Sequence, residues 1–256
     1  MIGWWGLAAA ASLLVLAAVV SVVLRLGVER GIVVAGGRML VQLALVGGLL
    51  TLVMAPGRSI WWSWLWVVGM IGYASGVAAR RVPEVPAIRP LALAAFSAAA
   101  VVTLGVLFGL GVFEVAGRSV VPLAGMMVGN SMSAVVLASR RTVEEVRERR
   151  GEVETLLALG LDRRTASASC VRDAMRSALI PQIETTKATG LVFLPGAMVG
   201  LLLAGVAPKD AVMTQAVVMF LVLASVSVTA AVMSLGVARR LFSADHRLLP
   251  LPAAKS

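Results

Sequence analysis

Three amide side chains stand inside long apolar runs: Gln42, Asn130 and Gln215. A primary amide carries two donors and a carbonyl acceptor, and leaving it against hydrocarbon without partners is costly. Each amide therefore has to face another helix or a cavity. One reading brings the three together on a polar path through a membrane, with the thioethers of Met126, Met132 and Met198 as soft ligands for a passing metal. Pro195-Gly196 would break its helix there and free backbone carbonyls to line the cavity. The plainer reading gives the amides to interhelical hydrogen bonds and the methionines to gap filling. Both stay open. Beside these residues, Gly125 and Gly129 form a G-x-x-x-G pair suited to close helix packing.

A second constellation is electrostatic. Residues 140–187 hold ten Lys/Arg and eight Asp/Glu, 18 of the chain's 36 charged residues. An internal loop this charged, set between apolar spans, is built to meet something soluble. It reads as two helices, 142–159 and 163–180. Glu145 and Arg149 are spaced for an i,i+4 pair, Gly160 suits the C′ position of the first helix, and Asp162 can cap the second. Pro181 and Gly190 then mark the return to the membrane. Glu154, Leu156, Leu157, Leu159, Gly160 and Leu161 surround the turn. With Val153, its leucines either pack on the neighbouring helix or enter a groove on a cytosolic partner. Glu184 and Lys187 form an i,i+3 pair or a charge gate at the inner mouth of the next span.

Some chemistry is excluded by residue type. The one histidine, His246, lies in the tail, so neither an H-E-x-x-H zinc site nor an intramembrane Ser–His pair can form. No aspartate lies within a span. The three lysines follow Thr186, Pro208 and Ala254, whereas a Walker A loop needs Gly before its Lys. No catalytic residue, resident cofactor or metal site is expected in this chain. Cys170 falls in the inner loop, where a disulfide is not expected.

The elements that must position these residues are membrane helices. The chain of 256 residues is 59% hydrophobic with mean hydropathy +0.94, beyond the roughly half apolar content of soluble domains. Apolar runs near 5–24, 38–55, 60–79, 91–112, 119–139, 188–206 and 211–237 are long enough to cross a bilayer. The expected fold is thus all-α: seven transmembrane helices in a single transmembrane domain covering 1–256, with a long helical cytoplasmic loop between helices five and six. With the N-terminus outside, 20 of the 23 Lys/Arg fall on the inner side and three, Arg58, Arg118 and Lys209, on the outer side. The positive-inside rule selects N-out, C-in. The net charge of +10 is then an orientation signal, and nucleic acid is not an expected partner. The six tryptophans sit near the outer ends of spans one and three, where indoles favour the interface. The first span lacks a basic n-region and reads as a retained helix. Segment 26–37 reads as an interfacial elbow, and 80–90, with three prolines, as irregular.

The ordered set of pieces resembles the permease subunit of Fet-type iron-export ABC transporters, the FetB family, whose plant relatives are implicated in aluminium tolerance. The pieces are Arg38 to Leu43, Pro122 to Met126 with Gly129-Asn130, Glu154 to Gly160, Gly190 to Gly196, and Gln215 to Phe220. They cover about 35–240. The resemblance implies a permease in the cytoplasmic (inner) membrane that pairs with a second copy of itself and with a cytosolic ATPase subunit. It also implies that 140–187 couples hydrolysis to movement. Glu154 and Gly160 have the spacing of the E-A-A-x-x-x-G loop of many ABC importer permeases, by analogy. The family commonly continues Met-Met-Thr-Gly-Gln after Pro195-Gly196; here the run is Ala197-Met198-Val199-Gly200-Leu201. Ser133 and Glu184 stand where Asn is usual. The expected function is export of a metal ion or metal complex, powered by the separate ATPase. Two alternatives are an ABC permease for an organic substrate and a non-transporting scaffold that recruits a cytosolic protein.

Overall fold

A computed structural model describes residues 3–53, 59–243, 245 and 247–250. Among them the regular structure is helical, in two units, 1–58 and 59–256. His246 and Arg58 lie outside the described residues.

The first unit is a helical hairpin of α1 (Trp4–Val23) and α2 (Glu29–Val53). Its turn needs left-handed backbone at Arg25 (φ 51°) and Gly27 (φ 68°). Ser21, buried, closes the turn: its hydroxyl donates to Glu29 Oε2 at 3.1 Å and accepts from the Val28 amide at 3.3 Å. Gly36 lets the two helices approach, since a Cβ there would lie 2.6 Å from Leu14 Cδ2. Segment 26–37, expected as an interfacial elbow, forms no separate element: after the turn it is the start of α2. An acidic residue in the first turn complements the helix dipole, and α2 starts at Glu29, with Arg30 and Arg38 inside it.

The second unit holds α3 (Trp61–Arg81), α4 (Ile88–Gly109), α5 (Gly117–Glu148), α6 (Arg150–Ala158), α7 (Arg163–Ala166), α8 (Ala168–Ala188), α9 (Gly196–Leu203) and α10 (Pro208–Arg240). The last helix is the hub: α10 packs on α4, α5, α8 and α9, and α5 packs on α3, α4 and α8. Phe96, Leu104, Met127 and Met233 are fully buried. Much of the seam between them is alanine: Ala74, Ala92, Ala95, Ala99, Ala124, Ala138 and Ala230 are all buried. Small side chains let helix backbones close up where there is no water to drive burial. Gly236 is the tightest case. A Cβ there would run into Leu91 of α4, with Cδ2 at 2.8 Å and Cγ at 3.1 Å.

Five helices, α1, α2, α4, α5 and α10, are long and apolar enough to cross a membrane. α3 has the length but is diluted by tryptophan, serine and glycine. The run 188–206 is not one helix. Its helical part, α9, has eight residues, about 12 Å at 1.5 Å per residue, against a hydrocarbon core of about 30 Å.

The charged segment also differs from two helices at 142–159 and 163–180. α5 continues through Glu148, because 140–148 contains good helix formers and no stop signal. Its 32 residues give about 48 Å of helix, more than a bilayer core needs. Arg149 (φ −102°, ψ 27°) breaks the helix before α6. Pro181 does not end the second helix but lies inside α8, where packing against α5 and α10 holds the helix across the missing N–H.

The segment 82–87 is irregular, as its prolines require. Arg140 Nη2 donates to the Arg81 carbonyl at 2.9 Å, and Arg240 Nη1 donates to the Pro86 and Ala87 carbonyls at 3.1 and 2.5 Å. These two guanidinium groups tie α5 and α10 to the α3–α4 connection. Arg240 also bonds to Ala87 where its φ is 52°, which is uncommon for a residue with a Cβ.

Candidate substrate path and coupling turn

The path residues are divided between the two units. Gln42 is exposed on α2 of the first unit; the others lie in the second. On α5, Arg118, Pro122, Gly129, Asn130, Ser133 and Arg140 are exposed, at helical spacing, on the side away from the core. Asn130 Nδ2 donates to the Met126 carbonyl one turn back, at 2.7 Å. Its amide thus serves its own helix, and among the described residues its oxygen accepts nothing. Met126 and Met132 are half-buried against the core.

Gly125 and Gly129 part company. A Cβ on Gly125 would lie 3.3 Å from Met70 Cε of α3, so this glycine serves packing inside the unit. A Cβ on Gly129 would meet nothing within 4 Å. Gly129, Asn130 and Ser133 make a small, polar, uncovered strip on an otherwise apolar span.

Gln215 is the opposite case. It is 5% exposed on α10, and its Oε1 has no hydrogen-bond partner. Ser131 on α5 and Thr229 and Ser234 on α10 are also buried with unpartnered hydroxyls. Buried polar groups are nearly always paired, so this polar thread through an apolar bundle needs an explanation. Single Ser and Thr residues in a Val/Ala-rich run carry little signal, which is why sequence reasoning passed over all three.

The break in 188–206 is a compact loop. Gly190 (φ 93°) donates its N–H to the Phe193 carbonyl at 3.0 Å, and Val192 N–H reaches the Ala188 carbonyl at 3.0 Å. Pro195, extended (ψ 147°), stands at the N-terminus of α9, which opens with Gly196. Met198 is half-buried, whereas Leu191 and Val192 are 96% and 81% exposed. Part of the carbonyl set freed by the break is therefore satisfied within the loop itself. Lys187 Nζ and Glu184 Oε1, both exposed, pair at 2.9 Å just before it.

The turn between α6 and α7 is built as its residue types dictate. Gly160 (φ 85°) donates to the Leu157 carbonyl at 3.0 Å, and Leu161 N–H donates to the Leu156 carbonyl at 3.1 Å. This pair of bonds is the Schellman arrangement, which ends a helix sharply. Asp162 Oδ1 accepts from the Thr165 amide at 3.1 Å and starts α7. Val153 is buried and Leu156 and Leu157 are half-buried on the core, but Leu159 is 74% and Leu161 40% exposed. A rigid turn thus holds two leucines away from the protein. Glu154 pairs with Arg150 at 2.8 Å on the exposed side of α6.

Behind the turn, Arg149 bridges helices. Its Nη2 lies 2.6 Å from Asp173 Oδ2 on α8 and 3.0 Å from Glu145 Oε2 on α5. The hydrogen bond that Arg149 donates to Asp173 raises the pKa of Arg149 further. Cys170 is buried beside this cluster, its Sγ 3.7 Å from the Glu145 carbonyl, and burial pushes its thiol up. Among the described residues, no three His, Cys, Asp or Glu side chains gather as a metal cluster.

Residues 4–242 match the model of an uncharacterised protein family, UPF0014. The chain belongs to the UPF0014 family. The match runs from the first residue of α1 to just beyond α10, so both units belong to it. UPF0014 membrane protein STAR2 of Oryza sativa subsp. japonica is 36% identical over 86% of this chain and 77% of its own. Protein ALUMINUM SENSITIVE 3 of Arabidopsis thaliana is 31% identical over 87% of this chain and 81% of its own. Probable iron export permease protein FetB of Escherichia coli K12 is 32% identical over 95% of this chain and 93% of its own. No solved structure matches. The resemblance to FetB drawn from the ordered sequence pieces therefore holds across nearly the whole chain. With its apolar helices, this UPF0014 member is a multi-pass membrane protein.

Proposed function

We propose that this chain is the permease subunit of an ATP-binding cassette transporter of the cytoplasmic membrane. It works as a homodimer with a separate cytosolic ATPase and exports a metal ion or metal complex. The observation that carries the reading is the α6–α7 turn. A Schellman-closed turn holds Leu159 and Leu161 exposed at the end of a charged arm, the form expected of a knob that enters a groove on a soluble partner. The FetB likeness supports a metal cargo, and the resemblance implies that the partner is a cytosolic ATPase. Hydrolysis belongs to the partner, since this chain contains no Walker A loop and we assign it no catalytic residue or resident cofactor.

The reading places 140–187 in the cytosol and the N-terminus outside, with seven crossings. Both α5 and α10 carry clustered arginines at their C-terminal ends, so both run outside to inside. The chain between them must then cross back once. The segment 188–206, with its 189–195 loop and α9, makes that return in place of one continuous sixth helix. A discontinuous span of this kind puts polar backbone at membrane depth only where it lines a cavity. The exposed strip of Gly129, Asn130 and Ser133 is the second wall of the same path.

Movement follows from the ties already described. Closure of the ATPase pair displaces the Leu159–Leu161 turn. Arg149 carries the displacement to α8, and α8 is continuous with the broken span. The test is purification of the solubilised protein from its native cells with mass spectrometry of what accompanies it. A stoichiometric ATP-binding subunit supports the proposal; its absence overturns it and favours the scaffold.

The apolar run Val199, Leu201, Leu202 behind Pro195 favours a second reading, an organic substrate in the same machine. Metal sensitivity of a deletion strain separates the two. Cells lacking the protein become iron-sensitive if a metal is the cargo and stay at wild-type tolerance if it is not.

A further inference from the structure

A groove of about 450 Å³ opens between the start of α8, α7 and the end of α10. The volume falls within the range of about 300–1,000 Å³ that holds small ligands. Its rim carries four guanidinium groups, Arg163, Arg164, Arg172 and Arg239, and no carboxylate lines it. Arg163 reaches the Ser243 carbonyl at 3.4 Å. Arg164, Arg172 and Arg239 are exposed, and among the described residues none of the three has a hydrogen bond or an ion pair. The acids nearest in sequence are engaged elsewhere: Asp173 with Arg149, and Asp162 at the α7 cap. Even without Arg163, three exposed guanidinium groups lining one groove repel one another unless an anion joins them.

The groove wall is apolar. Val171, Met175 and Leu235 line it together with the arginines. Leu235, 49% exposed, lies one turn before Arg239 on the same face of α10. An exposed leucine one turn inside the membrane from an unpaired arginine matches one kind of ligand: a phosphate with hydrocarbon attached. A soluble anion would use the arginines and leave the apolar wall wet. An acidic protein surface would reach the rim but not the floor. We propose that this groove binds the headgroup phosphate of an anionic phospholipid of the inner leaflet, with an acyl chain lying along Leu235 and Met175. Basic pockets between membrane helices on the cytoplasmic side commonly hold such headgroups. The bound lipid neutralises the rim and joins α8, the helix leading into the broken span, to α10. The leaflet assignment rests on the orientation proposed above; the affinity does not.

The test is native mass spectrometry of the full chain in detergent, titrated with dioleoylphosphatidylglycerol or dioleoylphosphatidylcholine, with and without excess inorganic phosphate. Phosphatidylglycerol is expected to bind more tightly than phosphatidylcholine. Replacing Arg164, Arg172 or Arg239 by Gln should weaken it about fivefold each, whereas Arg239→Lys retains most of the affinity and Arg118→Gln, remote in sequence, retains all of it. These side chains are exposed and unpaired, so the variants should fold; matching melting temperatures check this. Equal binding of the two lipids overturns the proposal, as does unchanged affinity in all three Gln variants. Displacement of the lipid by inorganic phosphate also overturns it and makes the groove a site for a soluble anion. No ATPase enters the experiment, so its failure leaves the transporter reading untouched.

Discussion

Arg149 Nη2 stands 2.6 Å from Asp173 Oδ2, joining the residue where α5 gives way to α6 to the second turn of α8. Glu145 holds the same guanidinium from the other side at 3.0 Å. Three segments of the charged arm therefore share one cation. Arg149→Ala leaves two carboxylates facing each other and is expected to loosen α6 and α7 from α8. Hydrogen exchange should rise across 150–175 and stay unchanged in α4 and α10. Transport should fall even if the ATPase still binds. Exchanging the charges, with Arg149→Asp and Asp173→Arg together, should recover part of the protection; no recovery would mean that the contact is incidental.

The exposed turn can be separated from the packed one. Leu159 and Leu161 face outward, whereas Leu156 and Leu157 rest on the core. Leu159→Asp with Leu161→Asp should therefore leave the melting temperature within a degree or two, since surface changes cost within about 0.5 kcal/mol, and abolish ATPase association. Leu156→Asp should instead lower stability, because a half-buried contact is replaced by a charge. Wild-type ATPase stimulation by the double variant would remove this turn from the coupling path.

The membrane character, the helical class, the Schellman turn and the Asp162 cap were legible because each rests on local chemistry: apolar run length, a left-handed glycine, a carboxylate three residues ahead of an amide. The break in 188–206 was half legible. Pro195-Gly196 announced it, but the loop is closed by Gly190 and Phe193, a contact across several residues that no period in the sequence encodes. The ties from Arg140 and Arg240 to the α3–α4 connection span 59 to 154 residues, so counting charges by side could not reveal them. Gly236 looked like any of the 25 glycines until Leu91 appeared against it. The convergence of Gln42, Asn130 and Gln215 was an inference from residue type alone. The second unit separates its two amides by environment, one uncovered and one buried.

Burial fixes the behaviour of Cys170. Its pKa lies above the ordinary 9.0 because desolvation disfavours the thiolate. A raised folded value means that the thiol stabilises the fold fully below the unfolded pKa, and that this contribution is lost as pH climbs through 9 and toward the folded value. The melting temperature should accordingly fall above pH 9 in the wild type and fall less in Cys170→Ala. At pH 7.5, maleimide labelling of the folded protein should lag the urea-unfolded chain by on the order of tenfold for each pKa unit gained. Equal labelling rates would show that the α5–α8 contact opens freely.

Gln215 offers a test of whether the buried polar thread is structural or functional. Its Oε1 is buried and unpartnered, and an unmet buried acceptor costs about 1–3 kcal/mol. If the amide serves packing alone, Gln215→Leu should raise the melting temperature and leave transport as it was. If it serves the path, the same substitution should raise stability and stop transport, the trade expected where a strained polar group is kept for function. Asn130→Ala is the companion measurement. That side chain is exposed and bonded only to its own helix, so its loss should not change stability, and a fall in transport would then report contact with the cargo. A drop in stability with Gln215→Leu would instead show that the amide has a partner, such as a buried water, whose hydrogen bonds the leucine cannot replace.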